Sequence, residues 1–204
     1  MFITFEGPDG SGKTTQLRLL AARLRAQGRD VLTVREPGGT AMGESVREIL
    51  LQTRTGGAAM DARAELLLFC ASRAQLMVER ILPHLAQGGV VLCDRFADST
   101  LAYQGYGRGL DLGLLRTVLD FATRGRWPDL TLYFDLEVEE SLARRAGDGE
   151  VNRLDAESLD FHRRVRAGYL ELAAYEPERW VTIDARQSID VVENAVQRAV
   201  MRVA

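Results

Sequence analysis

The segment Gly7-Pro8-Asp9-Gly10-Ser11-Gly12-Lys13-Thr14 holds the only lysine in a chain of 204 residues; every other residue of the Lys/Arg class is an arginine. Position 13 therefore calls for an ammonium in particular. The spacing fits the phosphate-binding pattern G-x-x-x-x-G-K-[ST] in full. Glycines let the backbone curl until successive N–H groups point at phosphate oxygens. A helix starting behind the loop adds free N–H groups and its positive dipole end. Lys13 supplies a mobile charge to β- and γ-phosphates, and the Thr14 hydroxyl is a ligand for Mg²⁺. A glycine-rich turn could spell the same letters by chance, but the flanking sequence argues against it. Phe2-Ile3-Thr4-Phe5 is a β-prone apolar run, and Leu17, Leu20, Ala21 and Leu24 repeat at helical spacing across residues 15–27. Gly7, Pro8, Asp9, Gly10, Ser11, Gly12, Lys13, Thr14 and Thr15 are thus expected to bind a nucleoside triphosphate.

Other clusters could serve that site. Val90-Val91-Leu92-Cys93 ends in Asp94-Arg95. An acidic residue at a strand tip beside a phosphate loop suits the Mg²⁺ shell, and Arg95 can grip a second phosphate with its planar fork. An ordinary strand-end ion pair is the other reading. Farther on, if Asp98 caps a short helix, Ser99 and Tyr103 share one face. Tyr103 and Gln104 then join a flat ring to an amide able to read a base edge, although a capped surface helix would look the same. Phe69 and Arg73 stand at i, i+4, one fit to stack on a base and the other to donate to its edge. Phe69 alone reads equally as core, whereas an arginine on so apolar a helix needs a partner. Arg35 and Arg47 flank the break Glu36-Pro37-Gly38-Gly39, and either could reach a phosphate or simply face solvent.

These residues need a scaffold, and the chain alternates. Strand-like runs at Phe2–Phe5, Val31–Val34, Val90–Cys93, Leu130–Phe134 and Trp180–Ile183 are separated by amphipathic stretches of helix length. Such alternation predicts an α/β fold, a parallel sheet flanked by helices with right-handed crossovers. Ligands then gather at the carboxyl ends of the strands, where the loop after Phe5 falls. The C-terminal stretch puts Ile189, Val192, Val196, Ala199, Val200 and Val203 on one face. Arg144 to Asp155 is rich in glycine and charge, and is expected to be an exposed, mobile loop. Residues 1–204 are expected to form one domain. A net charge of −3 with mixed signs gives no general basic surface for nucleic acid. No apolar run is long enough to cross a membrane, and Met1 leads straight into the first strand without room for a signal peptide. Cys70 and Cys93 lie in apolar runs and are expected to be buried free thiols; with His84 and His162 they do not make a plausible zinc site. A soluble, cytoplasmic protein is expected.

Taken together, these segments resemble the thymidylate kinase family. The match rests on Phe5 to Gln16, Arg35-Glu36-Pro37-Gly38-Gly39-Thr40, Leu68-Phe69-Cys70-Ala71-Ser72-Arg73, Asp94-Arg95-Phe96 with Ser99, Ala102-Tyr103-Gln104-Gly105, Pro128-Asp129-Leu130-Thr131 and Asn152-Arg153-Leu154-Asp155. The resemblance spans nearly the whole chain, and its tyrosine–glutamine segment is specific to the family. It implies a P-loop NTPase fold with a five-stranded parallel core, a lid at about 144–155, a homodimer, and transfer of phosphate from ATP to dTMP with Mg²⁺. It further implies that Asp9 holds the 3′-OH, Phe69 stacks on thymine and Arg73 donates to O4. Arg47 and Arg95 would grip the dTMP phosphate with Arg35 close by. Ser99 and Gln104 would line the base, Tyr103 would sit against the sugar, and Asp94 and Thr14 would organise Mg²⁺. With Lys13 and Arg95, a lid arginine would meet the transition-state charge, since Pro8-Asp9-Gly10-Ser11 contains none. One departure stands out. Relatives often carry an arginine just before the position of Glu150, where this chain has Gly147-Asp148-Gly149. Arg144, Arg145 and Arg153 remain as candidates, with Arg153 able to pair with Asp155 or Glu150. A regulatory GTP switch is excluded, because its Asn-Lys-x-Asp segment needs a second lysine.

Overall fold

A computed structural model describes residues 1–52, 59–147 and 152–203. Its centre is a five-stranded sheet in the order β2-β3-β1-β4-β5, with every adjacent pair parallel. The strands are β1 (Phe2–Glu6), β2 (Val31–Arg35), β3 (Val90–Asp94), β4 (Leu130–Asp135) and β5 (Trp180–Asp184). Each runs one residue beyond the apolar segment that predicts it, and that residue is charged. Backbone pairing continues through it, as Phe5 opposite Asp94 and Asp135 opposite Asp184 show. Five ionisable side chains are thereby delivered to the carboxyl edge of the sheet.

Alternation along β1 divides the core. Ile3 and Phe5 pack against α1 (Lys13–Ala26) and α9 (Ile189–Val200), where Leu17, Leu20, Ala21, Leu24, Val192 and Val196 are buried as their spacing predicts. Ile189 and Val203 at the ends of that last stretch are exposed instead. Phe2, Thr4 and Glu6 face the other layer, built from α3 (Ala62–Leu76), α5 (Ala97–Thr100), α6 (Leu112–Thr123) and α8 (Leu159–Tyr175). The remaining helices are α2 (Ala41–Leu51), α4 (Leu82–Ala86) and α7 (Val138–Gly147). Cys70 and Cys93 are buried free thiols. No helix among the described residues is long and apolar enough to cross a membrane.

Two π-helical turns, Met77–Ile81 and Leu101–Gly107, interrupt the helical layer. The second presses on α8: a Cβ at Gly107 would lie 2.6 Å from Phe161 Cε2. This close approach seats Tyr103 and Gln104 beside the sheet edge. Two expectations are corrected here. Asp98 does not cap α5, since Phe96 holds that place without a side-chain bond. Asp98 is buried inside the helix, where it takes hydrogen bonds from Arg179 Nη1 at 2.7 Å and Thr131 Oγ1 at 3.0 Å. Arg144 and Arg145 lie not in a loop but in the last turn of α7, where positive charge suits the helix dipole and Arg144 pairs with Glu140 four residues back. Of the stretch expected to be a mobile loop, residues 148–151 lie outside the described residues.

Candidate active site

The loop after β1 begins with Gly7 at φ 133°, where a Cβ would sit 2.5 Å from the Phe134 carbonyl oxygen; only glycine fits. Gly12 caps α1 without a side-chain bond, and the first turn of α1 carries no acid. The free N–H groups at this helix start are therefore open to an external anion. Lys13 is buried, donates to the Pro8 carbonyl at 2.6 Å, and stands 3.7 Å from Asp9. Burial pushes its pKa down and neighbouring Arg95 adds to this, against the pull of Asp9 and Asp94. Thr14 donates its hydroxyl to Asp94 Oδ2 at 2.6 Å, so the two expected metal ligands are adjacent. The Ser11 hydroxyl is buried without a protein partner.

Arg95 adopts the left-handed backbone, φ 66°, directly after β3. That turn swings its guanidinium over the Tyr103 ring at 5.2 Å and onto Asp9 Oδ1 at 2.8 Å. Burial by itself would raise the Asp9 pKa, but the charges of Arg95 and Lys13 hold it well below the usual carboxylate range. Behind Arg95 stands Glu6, buried at the tip of β1. It accepts from Phe96 N at 2.7 Å, from Tyr169 OH at 3.0 Å and from the Ser99 hydroxyl. Burial, then repulsion from Asp98, pushes its pKa up to about 7. Burial likewise raises the Tyr103 phenol to about 12, so it stays protonated.

A cleft of about 550 Å³ opens beside these groups; Pro8, Asp9 and Thr14 of the loop line it, while Lys13 does not. Arg35, Arg47, Phe69, Arg73, Ser99, Tyr103 and Gln104 all line it, as do Asp9, Asp94 and Arg95. Phe69 belongs to neither core cluster and lines the cleft. Arg35 pairs with Glu44 at 2.9 Å, and Arg47 donates to the Pro37 carbonyl at 3.0 Å. The partner that Arg73 requires is Glu36, which sequence reasoning passed over. Arg73 is 1% exposed and donates to Glu36 through Nε at 2.9 Å and Nη2 at 2.6 Å, and to Thr100 Oγ1 at 3.1 Å. Its Nη1 is buried without a protein partner. Arg73→Ala leaves the Glu36 carboxylate buried and uncompensated, which is expected to cost about 3–5 kcal/mol in urea unfolding. A loss below about 1 kcal/mol would mean that Glu36 is stabilised by something other than this pair.

The three candidate arginines near the mouth separate. Arg145 lines the cleft and donates from Nε to Asp155 Oδ2 at 3.0 Å. Arg144 donates to the Ala185 carbonyl at 3.2 Å and to Glu140 at 2.6 Å. Arg153 donates to the Leu50 carbonyl at 3.0 Å and sits 2.6 Å from Glu65. Asp155, expected as its partner, binds Arg145 instead; Glu150 lies outside the described residues. Sequence reasoning thus missed Glu6, Glu36 and Glu65. Their one signal was a carboxylate on or just after an apolar strand or helix, which by itself names no partner.

Comparison with known proteins agrees with this geometry. The family model described as thymidylate kinase matches residues 5–196. A thymidylate kinase of Thermomicrobium roseum is 54% identical over 203 residues, covering 99% of this chain and 95% of that relative. One from Roseiflexus sp. strain RS-1 is 50% identical, covering 96% and 91%. The crystal structure of thymidylate kinase from Ehrlichia chaffeensis superposes with a TM-score of 0.77 at 38% identity, over 97% of both chains. A phosphate loop, a facing arginine and a base-sized cleft, in a chain so closely related along its length, place this protein in the thymidylate kinase family.

Proposed function

We propose that this chain transfers the γ-phosphoryl group of ATP to dTMP, giving dTDP for dTTP synthesis. The observation that carries the reading is the Nη1 of Arg73, a buried donor without a protein partner on a side chain that lines the same cleft as Pro8, Asp9 and Thr14 of the phosphate loop. Thymine presents an acceptor at O4 where this donor would meet it, whereas cytosine presents an amine and would set donor against donor. Phe69 stacks on the base, Gln104 and Ser99 line it, and Tyr103 packs against the sugar. Asp9 holds the 3′-OH, while Arg95, Arg47 and Arg35 hold the acceptor phosphate.

The dTMP phosphate is already a competent nucleophile, so the reaction needs no strong base. The obstacle is repulsion between two polyanions held in line. Lys13 neutralises the β- and γ-phosphates, Arg95 neutralises the acceptor, and one arginine of Arg144, Arg145 and Arg153 meets the charge of the migrating group. Mg²⁺ fits the hydroxyl and carboxylate oxygens of Thr14 and Asp94, the hard donor set that this ion accepts alongside water and phosphate. When bound, it offsets charge on the donor phosphates. A homodimer is part of the same reading. The neighbouring helices α3 and α6 expose Leu67 and Leu114, and Phe121 is 88% exposed, which suits a covered face.

The test is a substrate panel of dTMP, dUMP, dCMP, AMP and GMP with ATP and Mg²⁺. Turnover should be greatest with dTMP and at least about 10³-fold lower with dCMP, since a site built for hydrogen bonding rejects an analogue that leaves its donors unmet. Equal use of dTMP and dCMP would overturn the reading.

A further inference from the structure

Glu65 lies in the first turn of α3, fully buried, and does not itself line the cleft. Its Oε1 accepts from Gln104 Nε2 at 2.7 Å and from Arg108 Nε at 3.2 Å. Its Oε2 accepts from Arg108 Nη2 at 3.1 Å and stands 2.6 Å from Arg153 Nη2. Burial alone would raise its pKa, but the bonds from Arg108 and Gln104 and the charges of Arg108 and Arg153 hold it below the ordinary value. Glu65 is therefore an ionised carboxylate, which accepts hydrogen bonds and donates none.

That fixes a side chain whose two ends otherwise exchange freely. Gln104 is buried, and it can meet a carboxylate only through its NH₂ group. Its carbonyl oxygen, the one acceptor it owns, is left for the cleft that Gln104 lines. We propose that Glu65 is a positioning residue for pyrimidine choice: it locks the Gln104 amide with the carbonyl toward the base and the NH₂ away from it.

The inference deepens the proposed function and rests on it. The edge of thymine reads acceptor at O4 and donor at N3–H. Arg73 Nη1, held by Glu36, offers the donor; Gln104, held by Glu65, offers the acceptor. Cytosine has an amine at C4 and an acceptor at N3, so it is opposed at both points. An unrestrained glutamine would turn its NH₂ toward N3 of cytosine and remove half of that opposition. Glu65 forbids the turn.

The experiment compares kcat/KM for dTMP and for dCMP, with ATP, in the unmodified protein, Glu65→Gln and the double variant Glu65→Gln/Gln104→Glu. A neutral glutamine at 65 offers either end of its amide, so Gln104 is free to turn. The dTMP/dCMP ratio should fall by about tenfold or more, with the ATP KM unchanged within about twofold. In the double variant position 104 is again acceptor-only, and the ratio should return to within about threefold of the unmodified protein. An unchanged ratio in Glu65→Gln, or no recovery in the double variant, would overturn the proposal, because a purely structural loss lowers turnover of both substrates together and leaves their ratio where it was. If Glu65→Gln does not fold, Gln104→Leu takes its place: the ratio should be lost there and kept in the double variant, and equal ratios overturn the idea. Absence of dTMP turnover in the unmodified protein would instead refute the proposed function itself.

Discussion

Lys13→Ala is expected to lower kcat by about 10³-fold while the melting temperature stays within a few degrees of the parent. The ammonium is buried, yet its short bond goes only to a loop carbonyl, that of Pro8. Asp9, which would otherwise lose a counter-charge, keeps Arg95 at 2.8 Å. The fold therefore has little reason to notice the change, whereas the donor phosphates lose their mobile charge. Lys13→Arg should fare little better, because a planar fork does not fill the place of a compact ammonium. Steady-state kinetics beside a thermal melt checks both halves. Turnover within tenfold of the parent would remove the phosphate loop from the mechanism.

The second large effect is expected at α7. Arg145→Ala should lower kcat by about 10³-fold with little change in the KM for ATP, the signature of a charge used mainly in the transition state. The choice of Arg145 follows from its place in the cleft wall, on the helix that abuts Gly10 of a loop with no arginine of its own. Arg144→Ala should be milder, because Arg144 does not line the cleft and its guanidinium meets the Ala185 carbonyl and Glu140. Arg153→Ala should act on stability and on dTMP binding, through Glu65 and the Leu50 carbonyl. Assaying all three for kcat and ATP KM ranks them. If none loses even tenfold, Lys13 and Arg95 carry the migrating charge unaided.

Much of this was legible because it is local. The phosphate loop is eight consecutive residues, and the strand–loop–helix order around it shows in the spacing of Leu17, Leu20 and Leu24. The strands were each read one residue short, since a charged terminal residue such as Glu6 or Asp135 looks like the start of a loop. Its polarity is met by partners at the sheet edge, Tyr169 and Ser99 for Glu6 and Arg166 for Asp135, and does not mark an end to backbone pairing. Asp98 was misplaced for a related reason. A capping residue and a buried acid share one letter, and what distinguishes them is Arg179, 81 positions away. The same holds for Glu36 with Arg73 and for Glu65 with Gln104, separated by 37 and 39 positions. Their partners are chosen by the fold. No periodicity reports them.

A chain with one lysine has one side-chain amine, and here that amine sits in the phosphate loop with its pKa pulled down by burial and by Arg95. An amine-selective reagent finds only the Met1 α-amine besides it, so the mass increment on the peptide that holds Lys13 reports on the state of this loop. Protection by ATP would be read directly, without engineering or isotope labels. A lysine-specific protease, likewise, has one bond to cut, and intact protein under native conditions would measure how well the loop stays closed in on itself.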